Sequence, residues 1–310
     1  FTVIKSTDEL NLDSSLSPTK ISFKEKFFPK TETIFKYNKN GNGIQVSDPV
    51  YAEKKVLILG AKPCDAASIP ILSKVFNWDY KDEFFDKRVA NSIIIGLACN
   101  YSDENCFCTS VNLNQLSVKG SDLFLIPLSA NQYILQVVTE KGNDFLNKYL
   151  SGLKPNSNQV NFKPEKEPVK KFNPGKVKDW LDKNFKSDFW EGTAELCLGC
   201  AQCAFVCPTC HCFDIVDEQC SQSCGRRIKN WDACQFGQFT RHASGHNPRT
   251  SQADRYRQRV SHKFKYYPDK FEEILCTGCG RCTRGCPVGI DISEVAALID
   301  LNNKDFKGVE

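Results

Sequence analysis

Eight cysteines in the last third of the chain have the types and spacing to hold iron. CLGCAQCAFVCP carries Cys197, Cys200, Cys203 and Cys207 ahead of Pro208, and CTGCGRCTRGCP carries Cys276, Cys279, Cys282 and Cys286 ahead of Pro287. Both read C-x2-C-x2-C-x3-C-P, the spacing of a [4Fe–4S] site. Three thiolates two residues apart on a tight turn reach three irons of a cube. The fourth precedes a proline that redirects the chain, which frees it to reach the other cluster, as in two-cluster ferredoxins. The spacing therefore predicts one cluster on Cys197, Cys200, Cys203 and Cys286, and another on Cys276, Cys279, Cys282 and Cys207. Zinc ribbons also use C-x2-C pairs, but zinc needs two pairs, not a run of four closed by Pro and repeated whole.

Cys64, Cys99, Cys106 and Cys108 form a second set. Cys64 follows the apolar run that ends at Gly60, and Cys99 follows the one that ends at Leu97. If those runs are parallel neighbouring strands, both thiols emerge at carboxyl ends, where open α/β sheets place ligands. Cys106 and Cys108 lie a short loop later and can fold back to the same point. The set is read as a third [4Fe–4S] site, against four ordinary packed thiols. Cys210, Cys212 and Cys234 are either a metal site or thiols packed beside the first cluster, and packing is the preferred reading. Cys220 and Cys224 sit in a polar Gln/Ser loop and suggest no chemistry.

The elements that must position these thiols alternate in type. Ile34–Tyr37 and Ile44–Val46 flank an Asn/Gly cluster and predict a hairpin. Val56–Leu59 predicts a strand and Asp65–Phe76 a helix. Ile93–Leu97, Asp122–Leu128 and Tyr133–Thr139 predict further strands, and Gly142–Leu150 a closing helix. Residues 1–150 are thus expected to form an α/β domain. Residues 151–175, rich in Pro, Lys, Asn and Ser, predict a linker. Residues 176–310 predict a mainly α-helical, ferredoxin-like domain carrying two [4Fe–4S] clusters. Its expected helices are Lys176–Phe185, Asp188–Leu196, Arg227–Thr240 and Ser251–Lys265. The two motifs start 79 positions apart, too far for a compact bacterial ferredoxin.

Composition narrows the function. The 310 residues are 41% hydrophobic and 25% charged, with a formal charge of +4. That is enough for a real core and too little charge to argue for a polyanion partner. No apolar run approaches the ~20 residues of a membrane helix. The 17 cysteines, in iron–sulfur rather than disulfide spacing, point to a reduced cytoplasm. Arg226–Lys265 carries ten Lys/Arg against Asp232 and Asp254; such cations can stabilise a reduced, anionic cluster. No recognition motif supports nucleic acid. G-x-G-x-x-G, the P-loop and H-E-x-x-H are all absent, so no residue is assigned a catalytic role.

The chain resembles the β subunits of sulfhydrogenases and the related iron–sulfur subunits of anaerobic sulfite reductase. The resemblance rests on LGAKPCDAASIPIL, GLACNYSDENCFCTS, CLGCAQCAFVCPTCHCFDIVDE, RRIKNWDACQF, HASGHNPR with QADRYRQRVSHKFKYYP, and CTGCGRCTRGCPVGID. It implies an iron–sulfur electron-transfer role within a hetero-oligomer. One partner would be a flavin-containing, NAD(P)H-handling subunit. The other would be a terminal catalytic subunit of hydrogenase, sulfite or sulfur reductase, or heterodisulfide-reductase type. It also implies ligand roles for the eight motif cysteines, while Cys220 and Cys224 depart from the family pattern. The rival reading is a self-contained iron–sulfur reductase that binds substrate at the N-terminal metal site, which an open iron with three cysteines would favour.

Overall fold

The computed structural model describes residues 1–10, 12, 18–49, 54–129, 132–155 and 161–305. The Asn/Gly cluster turns the chain as expected. β1 (Thr31–Asn40) and β2 (Gly43–Ser47) pair antiparallel, with Asn40 opposite Gly43. Gly41, in the turn between them, has φ +57°, the conformation a two-residue hairpin turn demands.

The next stretch builds an open sheet. β3 (Val56–Ala61) leads into α1 (Pro63–Ala66), α2 (Ser68–Phe76) and α3 (Glu83–Ala90). Pro63 opens α1 with its fixed φ, and the Asp82 carboxylate accepts from the Phe85 N–H to cap α3. β4 (Ser92–Leu97), β5 (Leu123–Ser129), β6 (Gln132–Val137) and α4 (Glu140–Tyr149) follow. The strand order is β3-β4-β5-β6. β3, β4 and β5 run parallel, and β6 returns antiparallel. Cys64 and Cys99 therefore do leave the carboxyl ends of parallel neighbours.

Within the segment expected to be a linker, residues 165–171 form a strap, while residues 151–155 are exposed. Lys166 O accepts from Ser102 Oγ at 2.8 Å and from Gln115 Nε2 at 2.9 Å. Thr109 Oγ1 donates to Pro168 O, and Lys171 N to Ser110 Oγ. The strap is thereby fastened along the loop that carries Cys99, Cys106 and Cys108. Residues 156–160 of the expected linker lie outside the described part.

Beyond it come α5 (Pro174–Lys183), α6 (Phe189–Ala194) and α7 (Gln202–Phe205). The second half is mainly helical, as expected, but one of its expected helices is not formed. In place of the expected helix over Arg227–Thr240, β7 (Phe213–Gln219) and β8 (Cys224–Trp231) form a hairpin. β8 pairs with β1, giving a second sheet of order β2-β1-β8-β7. A buried charge cluster sits where the two strands meet. Glu32 on β1 is 4% exposed and is paired with Arg88 and with Lys229 of β8. A pair of this kind is satisfied only when the two strands lie side by side. The sheet joins the first 50 residues to the cysteine-rich half.

The chain closes with α8 (Gln252–Ser261), a π-helical turn over His262–Tyr266, α9 (Tyr267–Phe271), α10 (Arg281–Arg284) and α11 (Ile292–Asp305). Ser251 and Asp254 form a capping box at the start of α8. One core packs Phe107 and Phe172 with Trp180, Trp190, Phe264 and Ile299. Each such side chain contributes about 1.5–3 kcal/mol when fully buried. The core spans the strap, the cysteine loop and the C-terminal helices, so it fixes the N-terminal thiols against the second motif. No helix among the described residues is long and apolar enough to cross a membrane.

Candidate metal centres

The two motifs fold alike. Gly199 and Gly278 have φ +64° and +65°, and the residues two further on, Ala201 and Gly280, have φ +61° and +69°. Each pair of left-handed residues coils the C-x2-C-x2-C run into a tight turn, and each turn runs into a four-residue helix, α7 or α10. Successive thiols then face one side.

The fourth cysteines cross over. One cavity is lined by Cys197, Cys200 and Cys203 together with Cys286 and Cys282. A second is lined by Cys276, Cys279 and Cys282 together with Cys207. Cys282 borders both. Among the described residues no group of three or more His, Cys, Asp or Glu could hold a single metal ion.

The surroundings fit an anionic, sulfur-rich guest. Tyr256 Oη and Thr277 Oγ1 are buried hydroxyls without a hydrogen-bond partner. Tyr256 lines the first cavity and Thr277 the second. A buried orphan hydroxyl costs about 1–3 kcal/mol, and a cluster's sulfurs would accept from it. N–H donors already approach the thiols. Gln252 Nε2 lies 3.2 Å from Cys197 Sγ, Ile290 N 3.3 Å from Cys286 Sγ, and Lys263 Nζ 3.3 Å from Cys207 Sγ. Arg259 donates to Cys210 Sγ and to Cys203 O. Arg259 and Lys263 are each 2% exposed, so these members of the cationic stretch are interior charges, not a solvated face.

The thiols carry the marks of this burial. Burial pushes Cys276 up to about 12, Cys282 up to about 11, and Cys203 up as well. Cys207 is held well below the usual thiol range, first by a hydrogen bond from Cys210 and then by Lys263 and Arg259. Burial pulls Lys263 down, but Cys207, Cys210 and Cys276 together outweigh it and leave it a firm cation.

The N-terminal set assembles in part. Cys64 feels Cys99 and Cys279, and Cys108 feels the same two thiols. Cys106 faces the Asp103 carboxylate instead, and burial pushes it up to about 12. All four thiols are buried. The loop that carries them touches the second motif directly: Phe107 N donates to Gly278 O at 2.9 Å. Of the remaining cysteines, Cys210 sits beside Cys207, Cys212 pairs with Cys234, and Cys220 is disulfide-linked to Cys224.

Tyr256, Thr277, Gln252 and Gln235 are not legible as site residues in the sequence. Each is an ordinary polar residue on a helix or loop, and only its seat beside a thiol marks it.

Two thiol-lined cavities with crossed fourth cysteines, ringed by N–H and cationic donors, define an iron–sulfur electron-transfer protein. Residues 196–290 match the 4Fe-4S dicluster domain family, which supports two [4Fe–4S] clusters. The chain is also 33% identical over 298 residues to sulfhydrogenase 2 subunit beta of Pyrococcus furiosus, covering 94% of this chain and 86% of that one. The chain belongs to the sulfhydrogenase β subunit family. No solved structure matches it.

Proposed function

We propose that this chain is the iron–sulfur relay of a cytoplasmic hetero-oligomeric oxidoreductase. At one end would stand a flavin-containing, NAD(P)H-handling subunit. At the other would stand a terminal catalytic subunit of hydrogenase, sulfite or sulfur reductase, or heterodisulfide-reductase type. The crossed fourth cysteines carry the reading. Cys197, Cys200, Cys203 and Cys286 would hold one [4Fe–4S] cluster, and Cys276, Cys279, Cys282 and Cys207 the other. When bound, each cluster supplies one-electron redox chemistry. The protein's part is to exclude water with its aromatic core, to orient N–H donors on the thiolates, and to balance their charge with Arg259 and Lys263.

Cys64, Cys99, Cys106 and Cys108 would hold a third [4Fe–4S] cluster and act as a port to a partner. The contact of Phe107 with Gly278 supports this, because it seats the set against the second cavity. A second reading has its own observation. Cys106 faces Asp103 rather than the other thiols, and a site with three cysteines leaves one iron open. That arrangement favours a self-contained reductase with substrate at the N-terminal site.

Iron analysis with EPR of the reconstituted chain tests both. Three cubanes give about twelve irons per chain and two give about eight. Cys64→Ala is expected to lose about four irons and keep the dicluster signal. Cys106→Ala with unchanged iron but an altered EPR signal would support the second reading. Full iron content in Cys64→Ala would remove the third site altogether. The isolated loaded chain is expected to oxidise no NAD(P)H, and turnover with a dye would refute the relay assignment.

A further inference from the structure

Cys212 and Cys234 lie outside all three proposed ligand sets. Cys212 immediately precedes β7, and Cys234 follows β8 by three residues. Phe213 pairs with Trp231, and the Asp232 N–H donates to Cys212 O at 3.0 Å. The mouth of the hairpin thus fastens the two backbones together, and the two thiols lie close enough that each shifts the other's titration. They differ in depth. Cys212 is partly exposed, whereas Cys234 is 8% exposed.

Cys234 lies next in the chain to the wall of the first cavity. Its neighbour Gln235 lines that cavity. Gln235 Oε1 accepts from Gln252 Nε2 at 2.9 Å, and the same amide group reaches Cys197 Sγ. Cys203, on the cavity wall, feels Cys234 electrostatically. Cys212, with help from Arg259 and Lys263, pulls Cys234 below the usual thiol range, which favours one thiolate and one thiol in the pair.

We propose that Cys212 and Cys234 are a redox-active dithiol, a two-electron site between solvent and the first cavity that exchanges with small disulfides. This rests on the reading of that cavity as a [4Fe–4S] site. Exchange begins when one thiolate of the pair attacks a sulfur of the small disulfide and expels one thiolate. The thiol of the pair then gives up its proton, attacks the mixed disulfide as a thiolate and expels the other. An S–S bond forms between Cys212 and Cys234, the substrate S–S bond breaks, and the two released thiolates take up one proton from the thiol of the pair and one from solvent. Resetting the pair to one thiolate and one thiol takes two electrons and one proton. One-electron donors supply the electrons singly, which is what the proposed clusters deliver, and the proton enters from solvent through Cys212.

The test uses the iron-loaded full chain under anaerobic conditions. One sample is treated with hydroxyethyl disulfide, alkylated, digested and mapped by mass spectrometry. A second is treated likewise and then given photoreduced methyl viologen before alkylation. Iron content and EPR are read on the same samples. The expected result is a Cys212–Cys234 cross-linked peptide in the first sample and its loss from the second. Iron-free chain should keep the cross-link under the same viologen, and Cys212→Ser should keep its iron and form none. No cross-link in a chain with full iron and normal EPR would overturn the dithiol and leave the relay standing. A cross-link that reduced viologen cannot remove from the loaded chain would overturn it too. So would stoichiometric zinc that is lost in Cys212→Ser, which would make the pair a metal site. Absence of the cluster from the first cavity would overturn both readings, and the EPR arm alone reports it.

Discussion

Arg281 and Asp65 form a bidentate ion pair in the interior, with Nη1 2.8 Å from Oδ1 and Nη2 2.7 Å from Oδ2. Their side chains are 1% and 0% exposed. Asp65 follows Cys64, and Arg281 stands between Cys279 and Cys282. The pair therefore rivets the N-terminal cysteine set to the second motif. Arg281 also donates to Thr19 O and Thr19 Oγ1, so four of its five N–H groups have partners.

Removing one partner leaves a buried charge without compensation, which costs about 3–5 kcal/mol. Arg281→Met is expected to lower the thermal midpoint of the iron-loaded chain by roughly 10 °C, at a few degrees per kcal/mol for a protein of this size. The double variant Asp65→Leu/Arg281→Met should recover most of the loss, because a well-packed apolar pair avoids the desolvation cost. If the double variant is as unstable as the single, the pair does more than balance charge.

The second motif needs glycine for a different reason from the first. A Cβ on Gly278 would lie 2.5 Å from Cys108 Cα and 2.6 Å from Phe107 C, and one on Gly280 would lie 2.5 Å from Asn105 O. At the position equivalent to Gly280, the first motif carries Ala201 with φ +61°. The left-handed backbone alone is thus tolerable there, at a cost of about 1–3 kcal/mol. Gly280→Ala adds a clash with backbone to that strain. It is expected to loosen the N-terminal cysteine loop and to raise alkylation of Cys106 and Cys108, whereas Ala201→Gly should be neutral or slightly stabilising. Equal alkylation in Gly280→Ala and the parent chain would show that the loop tolerates the shift.

The parts of the fold legible in the sequence are those whose signal is local. The motif spacing, the hairpin at Gly41 and the apolar runs of β3 and β4 all report on neighbours within a few residues. β8 reads as helix from sequence because its partner, β1, lies about 200 residues upstream, and polar, cation-rich strands carry no clean period of two. Lys229 looks like a surface residue until Glu32 is placed beside it. The seat of Cys108 against Gly278 is likewise invisible in the sequence. Its one trace is the pair of glycines inside C-T-G-C-G-R-C, which have no side chains because another backbone passes there.

The donors around the two cavities can be read one at a time. Lys263→Met removes a cation from Cys207 Sγ, and Tyr256→Phe removes one neutral hydroxyl from the first cavity. Donors that favour the more negative, reduced state raise a cluster's potential, so both changes are expected to lower it. A charged hydrogen bond is worth about 1.5–3 kcal/mol and a neutral one about 1. Only the difference between oxidation states counts, giving falls of about 50–100 mV and about 20–50 mV at one electron per cluster. EPR-monitored redox titration should show each variant moving one signal and not the other. A Tyr256→Phe chain with both potentials unchanged would show that the hydroxyl does not reach the guest.

Acid should loosen the core through two histidines. The rings of His211 and His262 meet edge to face at 5.3 Å, and His211 Nδ1 donates to Thr209 O at 3.1 Å. Burial holds His211 down at about 4, with Lys263 and Lys24 adding repulsion. Burial also holds His262 down at about 3, with His211 and Lys263 adding to it. Both folded values lie below the unfolded value of about 6.5. Between those limits the unfolded chain binds more protons than the folded one, so stability falls as pH falls. The histidine contribution is full above about pH 6.5 and is lost progressively toward pH 4. Each buried ring gives up to about 1.4 kcal/mol per pH unit. Because both rings keep some solvent contact, about 2–3 kcal/mol between pH 6.5 and 5 is expected for the two together. Acid also attacks iron–sulfur sites, so the informative quantity is the difference between the loaded parent chain and a His211→Gln/His262→Gln variant. Thermal midpoints at pH 7.5, 6.0 and 5.0 should converge for the two chains as pH falls. Parallel curves across that range would place the acid sensitivity elsewhere.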